Sequence, residues 1–261
     1  MADPDILSDI NGAVAVLTFN RPAALNAIDA ATLKAFDAAF IAAEADPAVR
    51  VIVITGAGDK AFVAGGDIGD LESRQGLAHY LDFGEELHRV FSRVEACDKP
   101  TIAAVNGFAL GGGTELLLCT DMRLVADTAR LGLPEINLGL FPGAGGTQRL
   151  IREIVPCRAR EMMFTGSQIT AQEAVEIGLC NRVVPKAALM AEAMKLAERC
   201  AAKSPLILKL LKRTLRQGAQ MPLPQALAHE QAMIGLVLDA ADAHEGCRAF
   251  LEKRPAAFTG R

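Results

Sequence analysis

The six cysteines of this 261-residue chain (Cys97, Cys119, Cys157, Cys180, Cys200 and Cys247) include no C-x-x-C pair. That absence excludes the usual thiol redox and zinc-ribbon motifs, and the scatter reads as free thiols in a reducing compartment. Basic runs are missing too. No stretch of Lys or Arg exceeds two residues and the formal net charge is −4, which argues against nucleic acid as a partner. No uninterrupted apolar stretch approaches the roughly 20 residues that span a bilayer. The N-terminus, Met-Ala-Asp-Pro-Asp, is acidic and lacks the apolar segment of a secretory signal. A cytoplasmic protein is expected.

Chemical signatures are absent as well. The four histidines (His79, His88, His229 and His244) show no H-E-x-x-H spacing, so no metal site is expected. There is no G-x-x-x-x-G-K-[ST] phosphate loop and no G-x-S-x-G nucleophile elbow. Gly56-Ala-Gly58-Asp-Lys-Ala61 formally fits G-x-G-x-x-A. A dinucleotide site needs a helix to start at once, however, and Gly65 and Gly66 stand where its first turn belongs. The match is read as chance.

What is present is an ordinary globular composition, 51% hydrophobic and 22% charged, in a chain long enough for one large domain or one domain with a small appendage. Residues 13–20 and 49–55 read as strands, the second apolar on both faces and therefore buried on both. Residues 29–45 read as a helix capped by Asp29 or Thr32. A long amphipathic helix is expected over 76–96, halted before Lys99-Pro100, with Leu77, Tyr80, Leu81, Phe83 and Leu87 facing either a ligand pocket or the core. Strand 101–105, helix 114–119 and strand 122–126 follow. This alternation implies an α/β architecture with crossover connections. After about Val184 the pattern turns helical: 186–202, 205–218, 224–238 and 242–253. Such an appendage commonly packs on a partner subunit.

The most telling residues are two glutamates in a stretch poor in charge and rich in glycine. Between Pro100 and Gln148 the charged residues are Glu115, Asp121, Arg123, Asp127, Arg130 and Glu135. A carboxylate among apolar residues and bare backbone is costly to ionise, so its pKa rises toward the range useful for proton transfer. Glu115 follows Leu110-Gly-Gly-Gly-Thr114; Glu135 precedes Pro142-Gly-Ala-Gly-Gly146. Ala64-Gly65-Gly66-Asp67-Ile68 supplies a second glycine segment after a buried strand. One N–H from each glycine segment could hold an oxyanion. Taken singly, each segment is an ordinary turn, Glu115 a helix-end charge and Glu135 a loop acid. Their joint occurrence is what points to an acid/base site.

Asn20-Arg-Pro-Ala-Ala-Leu-Asn-Ala27, Lys60-Ala-Phe-Val-Ala-Gly-Gly-Asp-Ile68, the segment Val105–Leu116 and the segment Leu133–Leu150 together resemble the crotonase superfamily, specifically its enoyl-CoA hydratase branch. The tail, Phe250–Arg261, is similar to that family's C-terminal segment. The resemblance implies a spiral of ββα units over residues 1–195 and a C-terminal helical trimerisation region over 196–261, with homotrimers or dimers of trimers. It implies Glu115 and Glu135 as the catalytic carboxylates and the amides of Gly66 and Gly112 as the oxyanion hole. Substrate and coenzyme A contacts would fall on Lys60, Ala61, Ala64, Asp67, Ile68, Gly69 and Gly143. Gly66 stands where many hydratases carry alanine. Thr114, where cysteine is frequent, is expected to donate a hydrogen bond near the catalytic acid, and a helix is expected to begin at Gly143.

The activity implied is reversible hydration of a trans-2-enoyl-CoA to a 3-hydroxyacyl-CoA, with no cofactor and with coenzyme A as part of the substrate. Glu115 would serve as base and Glu135 as acid. Relatives that isomerise double bonds typically keep one of these carboxylates, so the presence of both favours hydration. The alternatives are other reactions of the superfamily, such as 3-enoyl-CoA isomerisation or hydration of a branched or cyclic acyl-CoA, and a non-enzymatic RNA-binding role.

Overall fold

In the computed structural model, which describes residues 3–73 and 76–261, the chain feeds two sheets in alternation. It opens with an antiparallel hairpin, β1 (Ile6–Asn11) and β2 (Val14–Phe19). Gly12, at φ 61, turns the chain where a residue with a Cβ would be strained. β1 is mostly exposed, so it lacks the apolar alternation by which a strand is read from sequence. Helix α1 (Ala30–Ala45) follows, its first turn capped by Asp29, which accepts from Thr32 N. The caps are thus decided in favour of Asp29.

From here each turn of the chain lays one strand in each sheet and then a helical segment. β3 (Val51–Gly56) and β4 (Ala61–Val63) lead to α2 (Ile68–Ser73), α3 (Gly76–His79) and α4 (Glu85–Ala96). β5 (Thr101–Val105) and β6 (Phe108–Leu110) lead to α5 (Gly112–Leu117). β7 (Met122–Ala126) and β8 (Arg130–Gly132) lead to a 3-10 turn at Pro134–Leu138, then α6 (Gly146–Glu153) and α7 (Pro156–Thr165). The spiral closes with β9 (Gln168–Thr170), α8 (Ala171–Glu176) and β10 (Arg182–Val184). The larger sheet has the order β1-β2-β3-β5-β7-β10 and the smaller β4-β6-β8-β9. This is the spiral of ββα units expected from the resemblance. β3, apart from Gly56, and β5 are buried along their length, as strands covered on both faces must be.

The helix expected over 76–96 is interrupted. Tyr80–Gly84 winds as a wider π turn between α3 and α4, a distortion that re-aims side chains within a helix. Phe83 is buried, while the side chains of His79 and Tyr80 lie outside the described ones. Arg89 and Arg93 of α4 both pair with Asp37 of α1 at 2.9 Å.

Helix α9 (Leu189–Ala201) lays Leu189, Ala193, Ala197 and Ala201 against the larger sheet. Residue 195, where the core was expected to end, lies within it. Beyond it, α10 (Pro205–Gly218) and α11 (Leu223–Leu238) contain no buried residue, and α12 (Ala241–Leu251) completes the chain's helices. Asp242 fastens the tail, accepting from Ser204 Oγ at 2.5 Å and from the amides of Thr259 and Gly260 at 2.8 Å. Among the described residues, no helix is long and apolar enough to cross a membrane.

Candidate active site

The smaller sheet decides where the site forms. β4, β6 and β8 are parallel neighbours, with Ala61 beside Phe108 and Phe108 beside Arg130. Parallel strands end at the same edge, so the segments that follow them leave side by side. After β4 comes Gly65-Gly66, after β6 Gly111-Gly112 and Glu115, and after β8 Glu135. Residues far apart in the chain therefore meet at one edge.

The two glycine segments present unpaired amides. Gly65 has φ 107 and Gly111 φ 52, conformations that leave each following N–H turned out of its strand. Ile28 pins the first segment, donating to Gly65 O at 2.8 Å and accepting from Asp67 N at 2.9 Å. Gly66 N, between these bonds, has no acceptor among the described residues. Neither has Gly112 N, in the first turn of α5, where helix amides lack an internal partner. A Cβ on Gly112 would lie 3.7 Å from Gly66 N, so the two donors are adjacent. They form a ready seat for a developing oxyanion.

Glu115 is only 3% exposed. Its Oε1 accepts from Ala144 N at 2.7 Å and Gly146 N at 2.8 Å. The first amide belongs to the glycine-rich loop and the second opens α6, which starts at Gly146 rather than at Gly143; Gly145, at φ 104, precedes it. Burial pushes the Glu115 pKa above the usual carboxylate range, while the two amides and the Arg149 charge oppose that rise. Thr114, expected to donate near the catalytic acid, bonds to neither Glu135 nor Glu115. Its hydroxyl donates to Ala109 O at 2.6 Å and accepts from Gly132 N at 3.2 Å, because its place on α5 faces back into the smaller sheet.

Glu135 has a different setting. Gly111 leaves space for its carboxylate, since a Cβ there would lie 3.0 Å from Glu135 Oε1. Oε2 is buried with no hydrogen-bond partner among the described residues. Burial raises its pKa to about 7, and the neighbouring Glu115 charge adds to the rise. Each charge disfavours the other, so the two carboxylates titrate as a pair. Glu115 has two backbone amides as donors, whereas Glu135 has only its own backbone N–H and an Oε2 without a partner among the described residues, so the negative charge rests better on Glu115 and the proton on Glu135.

Both carboxylates, Gly66, Gly112, Ile68 and Gly143 line one cavity of about 540 Å³. Leu71, Phe83, Leu87, Leu138, Leu140 and Phe141 give it an apolar wall. The other expected contacts lie elsewhere. Lys60 and Ala61 line a separate hollow of about 230 Å³ beside Asn26. Ala64 is held by its N–H donating to Leu25 O at 3.1 Å. Asp67 accepts from Gly69 N at 3.1 Å and pairs with Arg21 at 3.3 Å, which makes it a cap for α2. The sequence reading missed the amides of Ala144 and Gly146 as partners of Glu115. The glycine density of that loop was their only sequence signal.

The arrangement can polarise a carbonyl and move protons at carbons conjugated to it. A sequence model of the family described as Enoyl-CoA hydratase/isomerase matches residues 9–261. The crotonyl-CoA hydratase of Syntrophomonas wolfei is 43% identical over 261 residues, covering 100% of both chains. The short-chain-enoyl-CoA hydratase of Clostridium acetobutylicum is 41% identical over 250 residues, covering 96% of this chain and 95% of its own. The solved enoyl-CoA hydratase of Bacillus anthracis superimposes with a TM-score of 0.94 at 37% identity, covering 98% of this chain and 100% of that one. With sequence and spiral matched over almost their whole length, the chain belongs to the enoyl-CoA hydratase/isomerase family.

Proposed function

We propose that the protein is an enoyl-CoA hydratase, adding water reversibly across the 2,3 double bond of a trans-2-enoyl-CoA. The observation that carries this is the meeting of two carboxylates and two unpaired amides in one largely apolar cavity. The amides of Gly66 and Gly112 receive the thioester oxygen and leave C3 electron-poor. Charge grows on that oxygen toward the enolate, so these bonds strengthen as the reaction proceeds. Glu115 has Oε1 committed to backbone donors, and its Oε2 takes a proton from the water that attacks C3. Glu135 gives its proton to C2. The pair ends with one proton on Glu115, and its return to Glu135 resets the site. Water and two carboxylates suffice for this chemistry, and coenzyme A enters as part of the substrate.

The remaining expectations are carried forward on the same footing. Coenzyme A runs past Lys60, Ala61, Ala64, Asp67, Ile68 and Gly69, with Gly143 across the cavity; the hollow at Lys60 supports this course. The catalytic core, expected over 1–195, runs on through α9 to Ala201, and the rest of the region expected over 196–261 serves self-association into trimers or pairs of trimers. The exposed apolar side chains of α10 and α11, Leu211, Leu215, Leu227 and Ile234 among them, support that assembly. All six thiols are free, two of them exposed, which suits a cytoplasmic location.

The test is loss of the enoyl-thioester ultraviolet band when the enzyme meets crotonyl-CoA, with the product mass measured. A product heavier by one water supports hydration. Conversion of a 3-enoyl-CoA without mass gain, in the absence of hydration, would assign isomerisation instead.

A further inference from the structure

Glu115 does not hold its own position; the loop at its two amide donors is itself held from behind. Arg149, one turn into α6, donates through Nη1 to Ala144 O at 3.1 Å. A Cβ on Gly145 would collide with that same nitrogen, so the guanidinium fills the space over the loop. Its other edge is fixed by Glu95 of α4, which accepts from Nε at 3.0 Å and Nη2 at 2.7 Å, with Ser92 Oγ 3.4 Å from Nη2. One planar fork thus spans from α4 to the loop, using the geometry that distinguishes Arg from Lys. Holding the Ala144 carbonyl fixes the 144–145 peptide, which lies between the two peptides whose N–H groups, those of Ala144 and Gly146, face Glu115.

We propose that Arg149, clamped by Glu95, is a positioning residue that presents the Ala144 and Gly146 amides to Glu115 and keeps that carboxylate anionic for the attack of water. The inference rests on the hydratase reading of the site. The titratable and charged groups around Glu115 are few. Cys119, just after α5, donates its thiol to Glu115 O at 3.2 Å, Glu135 faces it from the turn after β8, and Arg149 stands behind the loop with Glu95 beyond it. Arg149 is the one cation among them, and its charge favours the anion of Glu115. It does not line the cavity, so its loss should leave substrate affinity nearly alone while disturbing the base.

The test compares Arg149→Met, Arg149→Lys and Glu95→Gln with the wild type in the crotonyl-CoA hydration assay over a range of pH. A wild type that hydrates none of a panel of 2-enoyl-CoA thioesters overturns the hydratase reading, and this inference with it. With an active wild type, Arg149→Met should lower kcat by about 10- to 100-fold, as sub-ångström misplacement of a catalytic group does, with KM within about 3-fold. Its acidic limb, where Glu115 takes up a proton, should move to higher pH. Arg149→Lys keeps the charge and loses the fork, so its limb should stay in place while kcat recovers only in part. Glu95→Gln should cost less than Arg149→Met and also leave KM alone. Wild-type kcat and an unmoved acidic limb in folded Arg149→Met overturn the inference without touching the reaction assignment. If Arg149→Met does not fold, wild-type kcat in both Arg149→Lys and Glu95→Gln overturns it equally.

Discussion

At the scale of single residues, the site depends on two like side chains being made unlike. Glu115 has two backbone donors and a cation behind them, and Glu135 has a buried oxygen with no partner among the described residues. Replacing either by Gln should lower kcat by about 10²- to 10⁴-fold, the span usual for acid/base groups, as read by the crotonyl-CoA assay. Glu135 also links stability to pH. Its folded pKa of about 7 lies above the ordinary 4.5. Between those values the folded chain holds a proton that the unfolded chain has lost, so stability falls as pH rises through that window. Glu135→Gln should therefore be more stable than wild type at about pH 8 and match it below about pH 4.5. Denaturant melts at the two pH values check this, and equal stability at both would contradict it. The carboxylates were legible in the sequence because they interrupt a stretch almost free of charge. Arg149 was not, since its clamp depends on Glu95, 54 residues earlier in the chain, which only the tertiary fold brings near.

At the scale of elements, glycine sets how closely α5 can approach β4. A Cβ on Gly113 would overlap Val63 O, a backbone atom that cannot yield. Gly113→Ala should therefore cost about 3 kcal/mol, the upper end for an added methyl group, and reduce activity by displacing Gly112. Gly66 is a different case. A Cβ there would meet Leu71 Cδ1 at 3.3 Å, the end of a side chain that can shift, and its φ is not left-handed. Gly66→Ala should change stability by no more than about 1 kcal/mol and keep turnover of the same order. Melting curves and the hydration assay on both variants separate these outcomes. β3, β5 and β7 were legible as apolar runs. β4, β6, β8, β9 and β10 have only three residues each, too few to show a period of two. What could be read instead was the glycine and acid that follow β4, β6 and β8. The break in the 76–96 helix left no mark in its apolar spacing, because a π turn adds a residue without adding polarity.

At the scale of the molecule, the C-terminal helices are incompletely covered. α11 faces α10 through Ala226, His229, Met233 and Val237, all partly buried. Leu223, Leu227, Ile234 and Leu238 form a second stripe about a quarter-turn away, and they remain exposed, Leu227 at 54% and Ile234 at 49%. A stripe of that kind fits burial against another copy. Light scattering after gel filtration should give a multiple of the single-chain mass, and Leu227→Glu with Ile234→Glu should shift it downward. A monomeric wild type would rule out the assembly. The order of these helices was plain from their length and periodicity, and the boundaries of α10 were legible from Pro205 and Gly218. The place of α9 was not, since its small buried residues, Ala193, Ala197 and Ala201, look the same on a core helix as on an appended one.

The smaller sheet has a consequence for what this scaffold can become. The adjacent amides of Gly66 and Gly112 stand at the ends of β4 and β6, whereas Glu135 arrives separately, on the turn after β8. A change confined to that turn alters where a proton is delivered without altering how the enolate is held. Under the proposed mechanism the molecule is an enolate cradle with an exchangeable proton donor, and new reactions would be reached by rewriting one short loop.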